Sequence, residues 1–237
     1  TAALTIIATR PDLLSRIFQT DLNVHWRSSG LLVLQFFQGF EWKSVALDTN
    51  VPADVSNVEL WAPMLEKAFA KNFSSYEAMN THFEENGMQA FESALVEMSG
   101  GCLDRVSEPF DFGKLQSKFL AGSLLTVCSK DHHKNPAGLK LGSPYGILDM
   151  CEAQGFQLIR LRNPYGDHSG KWTGTIPFGK KTELRDRLGA HNKNKDGTFW
   201  MPFKEFCALF ADTLYVCRLF KQDFHQYAIG GSFGDSR

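Results

Sequence analysis

The sequence predicts an α+β protein of two lobes, the first mainly helical and the second built on an antiparallel sheet. Three observations lead there. Apolar residues recur at helical spacing in several segments before residue 98, Ser99-Gly100-Gly101 interrupts the chain with turn-forming residues, and short apolar segments bounded by turns dominate beyond it. The expected division is a first lobe over 1–98, a second over 99–220, and a linker or the start of a following domain over 221–237.

The elements follow in order. Residues 1–8 are almost wholly apolar, and Pro11 stands where a first helical turn tolerates it, ahead of Leu13, Leu14, Ile17 and Phe18; two short helices are expected to open the chain. Leu31 to Phe37 reads as a strand, Gly39 as its turn, and Trp42 to Asp48 as the returning strand. Between Val58 and Lys71, Leu60, Trp61, Met64, Leu65, Ala68 and Phe69 share one helical face, and Pro63 is early enough to be accommodated. A short helix is expected around Phe91 to Val96, then the glycine pair as a flexible joint. Strands are expected at Leu124 to Cys128, Tyr145 to Met150, Phe156 to Leu161, Thr198 to Met201 and Leu214 to Phe220. Helices are expected at Phe112 to Leu120, Thr182 to Leu188 and Phe203 to Phe210.

Composition excludes several function classes. With 25 basic and 26 acidic residues, 43% apolar and 22% charged, the chain has no polyanion-binding balance and no long basic run, so no nucleic-acid partner is expected. No stretch reaches the ~18 apolar residues of a membrane helix, and a soluble protein is expected. Five cysteines, none in a CxxC pair, suggest neither a disulfide framework nor a zinc site and point to a reducing, cytoplasmic setting. The chain starts at Thr1 and reads as part of a longer multidomain protein.

Three motifs in order carry a resemblance. They are Leu60-Trp61-Ala62-Pro63-Met64-Leu65-Glu66-Lys67-Ala68-Phe69-Ala70-Lys71 with Ser75-Tyr76-Glu77-Ala78; then Arg162-Asn163-Pro164-Tyr165-Gly166 with Trp172-Thr173-Gly174; then Asp196-Gly197-Thr198-Phe199-Trp200-Met201-Pro202-Phe203. Together they resemble the catalytic core of the calpains, papain-like cysteine peptidases of two lobes, and in particular the divergent calpain-like proteins of protozoa.

The resemblance implies a Cys-His-Asn triad. The nucleophilic cysteine opens a helix whose continuation is similar to Ala2-Ala3-Leu4, which puts its position upstream of Thr1. The triad histidine stands in a Gly-His-Ala-Tyr segment; the matching residues here are Gly142-Ser143-Pro144-Tyr145, so Ser143 takes its place. A serine hydroxyl can neither hold a cationic proton near neutral pH nor return one to a leaving amine. Losing such a histidine costs a factor of about 10⁴, or about 5.4 kcal/mol of transition-state stabilisation. Asn163 matches the third triad member, and Tyr165 replaces the tryptophan that shields it. His132 and His133, in a loop shortly before Ser143, and His25, His82, His168, His191 and His225 are expected to be turn or loop residues.

The same resemblance implies one calcium site per lobe. Glu66 matches a first-lobe ligand, whereas Lys171, Phe178 and Thr198 stand at second-lobe ligand positions and leave Asp196 alone. Hard cations need six to eight oxygens, so the second site is expected to be lost and calcium to remain only as a question for the first. Asn192-Lys193-Asn194-Lys195-Asp196-Gly197 imitates the first half of an EF-hand loop, but Phe203 falls where the bidentate glutamate is required. The expected function is a calpain-like domain without chemistry that binds a protein or peptide partner in its cleft. The alternatives are an active calcium-dependent endopeptidase with its nucleophile outside this chain, and a cytoskeleton-associated structural module.

Overall fold

The computed structural model describes residues 2–19, 29–50, 60–130, 138–140, 142–164, 166, 173–174, 188 and 197–220. Helix α1 (Ala2–Ile7) and helix α2 (Pro11–Ile17) open the chain. Pro11 occupies the first turn of α2 at no hydrogen-bond cost, and Leu13 and Ile17, one helical turn apart, are buried. Strands β1 (Leu31–Gln38) and β2 (Glu41–Asp48) pair antiparallel from Leu31–Asp48 to Gln38–Glu41. Their two-residue turn, Gly39-Phe40, has φ of 60° and 67°, the left-handed pair whose twist suits a tight hairpin. Leu32, Leu34 and Phe36 alternate into the core, as a half-buried strand requires.

Helix α3 (Trp61–Asn72) buries Met64, Leu65, Ala68 and Phe69, one stripe of its surface. Helix α4 (Tyr76–Ser99) is far longer than the sequence suggests. Ser75 caps its start by accepting from the Ala78 amide at 3.0 Å, and Gly100, at φ 67°, closes its end in the left-handed conformation. Gly87 (φ 47°, ψ −111°) kinks it midway, which is why only the apolar second half reads as helix from its periodicity.

The second part of the chain is one six-stranded sheet of order β3-β8-β4-β5-β6-β7, every neighbouring pair antiparallel. Its strands are β3 (Cys102–Ser107), β4 (Leu124–Ser129), β5 (Pro144–Ala153), β6 (Phe156–Arg162), β7 (Thr198–Pro202) and β8 (Phe210–Arg218). Helices α5 (Phe112–Leu120) and α6 (Phe203–Leu209) cover it. Strand β3 is absent from the sequence reading, and β8 begins at Phe210, where a helix end was expected. The helix expected at Thr182 to Leu188 lies outside the described residues apart from Leu188.

Two apolar clusters result. One gathers α1 to α4 and the β1–β2 hairpin, with Leu124 and Cys217 reaching into it from the sheet. The other is built on the sheet, with Tyr145, Phe206 and Phe210 fully buried at its centre. Helix α1 lies directly on β5: a Cβ at Gly146 would fall 2.7 Å from Ile6 Cγ1, so only glycine lets the strand come this close.

Candidate active site

The start of β5 and the end of β6 are neighbours in the sheet. Their last register pair is Gly146–Arg162; Ser143 lies three residues before the first of these and Asn163 one residue after the second. The antiparallel pairing therefore brings both residues to the same end of the β5–β6 pair, although the sequence separates them by twenty positions.

Ser143 is buried, and its backbone is tied to β4. Its amide donates to Ser129 Oγ at 3.3 Å, and its carbonyl accepts from the Ser129 amide at 3.1 Å. The Ser129 hydroxyl donates onward to the Lys140 carbonyl at 2.5 Å, and the Lys140 amide donates to Tyr145 Oη at 2.9 Å. Tyr145 packs its ring edge-on against Phe210, centroids 5.3 Å apart, so a core aromatic anchors the entire turn. This stapling uses two hydroxyl groups, those of Ser129 and Tyr145, and a linear motif carries no sign of it.

Asn163 is only 1% exposed. Its amide donates to the Gly197 carbonyl at 3.0 Å, and its side-chain Nδ2 donates to the Gly166 carbonyl at 2.7 Å. The Gly166 amide returns a weaker bond to the Asn163 carbonyl at 3.3 Å. The side chain thus closes the turn that follows β6, a local role for which asparagine is well suited. Gly197 holds φ 74°, and a Cβ there would meet the Asn163 and Gly166 backbone at 3.0 Å.

A cavity of about 440 Å³ opens beside Gly142 and Pro144, at the start of β5. Ala3 and Leu4 of α1, Glu66 of α3, Met88 of α4, and Gly142 and Pro144, the two neighbours of Ser143, contribute to its mostly apolar lining. Glu66 is exposed, and its carboxylate adds to the burial that raises the Tyr76 hydroxyl above its ordinary pKa. Among the described residues no three His, Cys, Asp or Glu side chains are grouped to hold a metal ion. Asp196 and Tyr165 lie outside the described residues, as do Lys171 and Phe178.

Burial pushes Cys128 up to about 12 and Cys217 up to about 11, and it also raises Cys151 and Cys207. A nucleophilic thiol needs the opposite shift, so none of these four is activated. Cys128 Sγ points at Met88 Sδ, 3.8 Å away. His82 lies on α4 and not in the turn or loop expected from sequence, its ring 4.9 Å from that of Phe73 and its Nδ1 3.2 Å from Asn86 Nδ2. His25, His132, His133, His168, His191 and His225 lie outside the described residues.

A family model for the calpain cysteine proteases matches residues 1–218, nearly the whole chain and all of its described elements. The chain belongs to the calpain family of cysteine proteases. Calpain-9 of Rattus norvegicus is 31% identical over 245 residues, which cover 92% of this chain and 34% of that protein. A calpain-type cysteine protease of Zea mays is 29% identical over 248 residues, covering 93% of this chain and 11% of that protein. The calpain-2 catalytic subunit of Gallus gallus is 28% identical over 243 residues, again covering 34% of the relative. This calpain-family chain therefore spans about a third of the animal relatives and about a ninth of the plant one. Within the calpain core, the helical cluster and the antiparallel sheet are the α+β architecture that the sequence predicts, and α1 and Pro144 at the start of β5 line the same cavity.

Proposed function

We propose that this calpain-family peptidase domain is catalytically inert and works as a binding module for a protein or peptide segment. One observation carries the reading: the residue immediately before β5, at the same end of the β5–β6 pair as Asn163, is a buried serine rather than a histidine. In the family's motif an imidazole at this position acidifies the thiol and protonates the leaving amine. The Ser143 hydroxyl supplies no cationic proton near neutral pH, and its backbone is committed to Ser129. Without that proton shuttle, about 10⁴ in rate goes, whatever residue stands at the nucleophile position.

What the domain keeps supports binding. Among the described residues the helical cluster and the six-stranded sheet are present, the Asn163 side chain closes the turn after β6, and a cavity at the start of β5 offers apolar walls that suit a nonpolar side chain of a bound segment. A fold that retains its cleft can serve recognition after its chemistry is lost. Calcium has no required part in this reading.

The test is hydrolysis of fluorogenic peptides by the complete protein with and without calcium. Background rates under both conditions are expected. Calcium-stimulated cleavage that a thiol-alkylating inhibitor abolishes would overturn the proposal in favour of an active endopeptidase.

A further inference from the structure

The joint between α4 and β3 is a pair of glycines, which from sequence suggests pliancy. The packing around it says otherwise. Trp42, from the β1–β2 hairpin, lies so close to Gly100 that a Cβ there would fall 2.5 Å from Trp42 Cζ2. The Arg16 guanidinium of α2 sits over the Trp42 ring, 5.8 Å from its centroid, and Nη1 of the same residue donates to the Ser99 carbonyl at 3.3 Å. Phe37 backs the indole from its own hairpin, ring centroids 5.6 Å apart. On the far side, a Cβ at Gly101 would meet Cys217 Sγ at 2.6 Å and the Arg218 carbonyl at 2.7 Å. Ser99, fully buried, contacts Cys217 Sγ at 3.2 Å and accepts from the Gly101 amide at 3.1 Å. These glycines are required for close approach from both sides rather than for freedom of movement.

We propose that Trp42, held by Arg16, is a latch: it closes over Gly100 and fixes the joint between the helical cluster and the sheet, so that any movement of one against the other requires the indole to leave first. Three residues distant in sequence, Arg16, Trp42 and Cys217, converge on the three residues of the joint. Gln38 reinforces the hairpin's hold on α4 by donating to Glu97 at 2.8 Å, one turn before the joint. The latch acts independently of whether the cleft performs chemistry.

Hydrogen exchange on the full chain tests it. The amides of Gly100 and Gly101, bonded to the Val96 carbonyl and Ser99 Oγ, report the joint; Ala68 in α3 and Leu125 in β4 report the two cores. Trp42→Ala is expected to speed exchange at Gly100 and Gly101 by about tenfold or more, leave Ala68 and Leu125 unchanged, and be partly corrected in Trp42→Phe. Arg16→Met, which keeps the aliphatic stem but removes the cation and the donor to Ser99, carries the same expectation if Trp42→Ala does not fold. Unchanged joint amides would overturn the proposal. So would equal acceleration at all four positions, which would make Trp42 a supporter of global stability only.

Discussion

Replacing Asn163 by alanine separates a structural asparagine from a catalytic one. The side chain is 1% exposed, and its Nδ2 gives a 2.7 Å hydrogen bond to the Gly166 carbonyl that closes the turn after β6. Removing a buried donor of this kind costs about 1–3 kcal/mol. For a protein of this size each kcal/mol moves the melting temperature by about 2–4 °C, so a loss near 2 kcal/mol corresponds to a fall of about 4–8 °C. Asn163→Asp should be worse at neutral pH, because a carboxylate then faces a carbonyl oxygen in a buried turn, and the deficit should shrink in acid as the protonated carboxyl regains a donor. Differential scanning calorimetry of the two variants against the wild type measures all of this. A melting temperature for Asn163→Ala within about 1 °C of the wild type would refute the reasoning, because the turn would then not depend on the amide.

Glu97 is held above the usual carboxylate range chiefly by burial, opposed by the Gln38 hydrogen bond and by His82. A raised folded-state pKa means that native stability is fullest below the ordinary value and falls as pH rises past it. Glu97→Gln keeps an acceptor for Gln38, so it should raise the melting temperature at pH 7 and lose that advantage near pH 4; equal effects at both would contradict the assignment. Cys128 and Cys217, pushed up to about 12 and about 11, hold their protons longer when folded than when unfolded. Their contribution to stability is present below about pH 9 and is lost as pH rises through those values, so denaturant midpoints should decline in that range. Iodoacetamide at pH 8 should label the exposed Cys102 first and leave Cys128 and Cys217 unmodified in the native protein, as peptide mass mapping would show.

The parts of the fold legible in sequence are those where one local signal dominates. The β1–β2 hairpin announces itself through the apolar run Leu31 to Phe37 and the turn at Gly39, and α3 through an apolar stripe interrupted only by Pro63 in its first turn. Strand β3 is hidden because Asp104 and Arg105 break any apolar run, which an edge strand with a solvated side tolerates. The first half of α4 is hidden by a polar face and by Gly87, whose kink disrupts the helical period. At the candidate site, Ser143 and Asn163 are picked out through the family resemblance, and the register brings them to one strand end. The stapling of Ser143 through Ser129, Lys140 and Tyr145 depends on contacts between strands and leaves no linear trace. The packing at the glycine joint is hidden for the same reason: sequence shows permissive residues, whereas Trp42 and Cys217 approach them from elsewhere in the chain.

The inert reading rests on serine rather than histidine at position 143, and NMR can test it without substrate. The seven histidine rings, labelled with nitrogen-15, are titrated in the wild type and in Asn163→Ala. No ring should change its tautomer, resonance position or titration midpoint between the two proteins. One histidine whose midpoint moves when the Asn163 amide is removed would place an imidazole in the cleft and restore the case for a living peptidase.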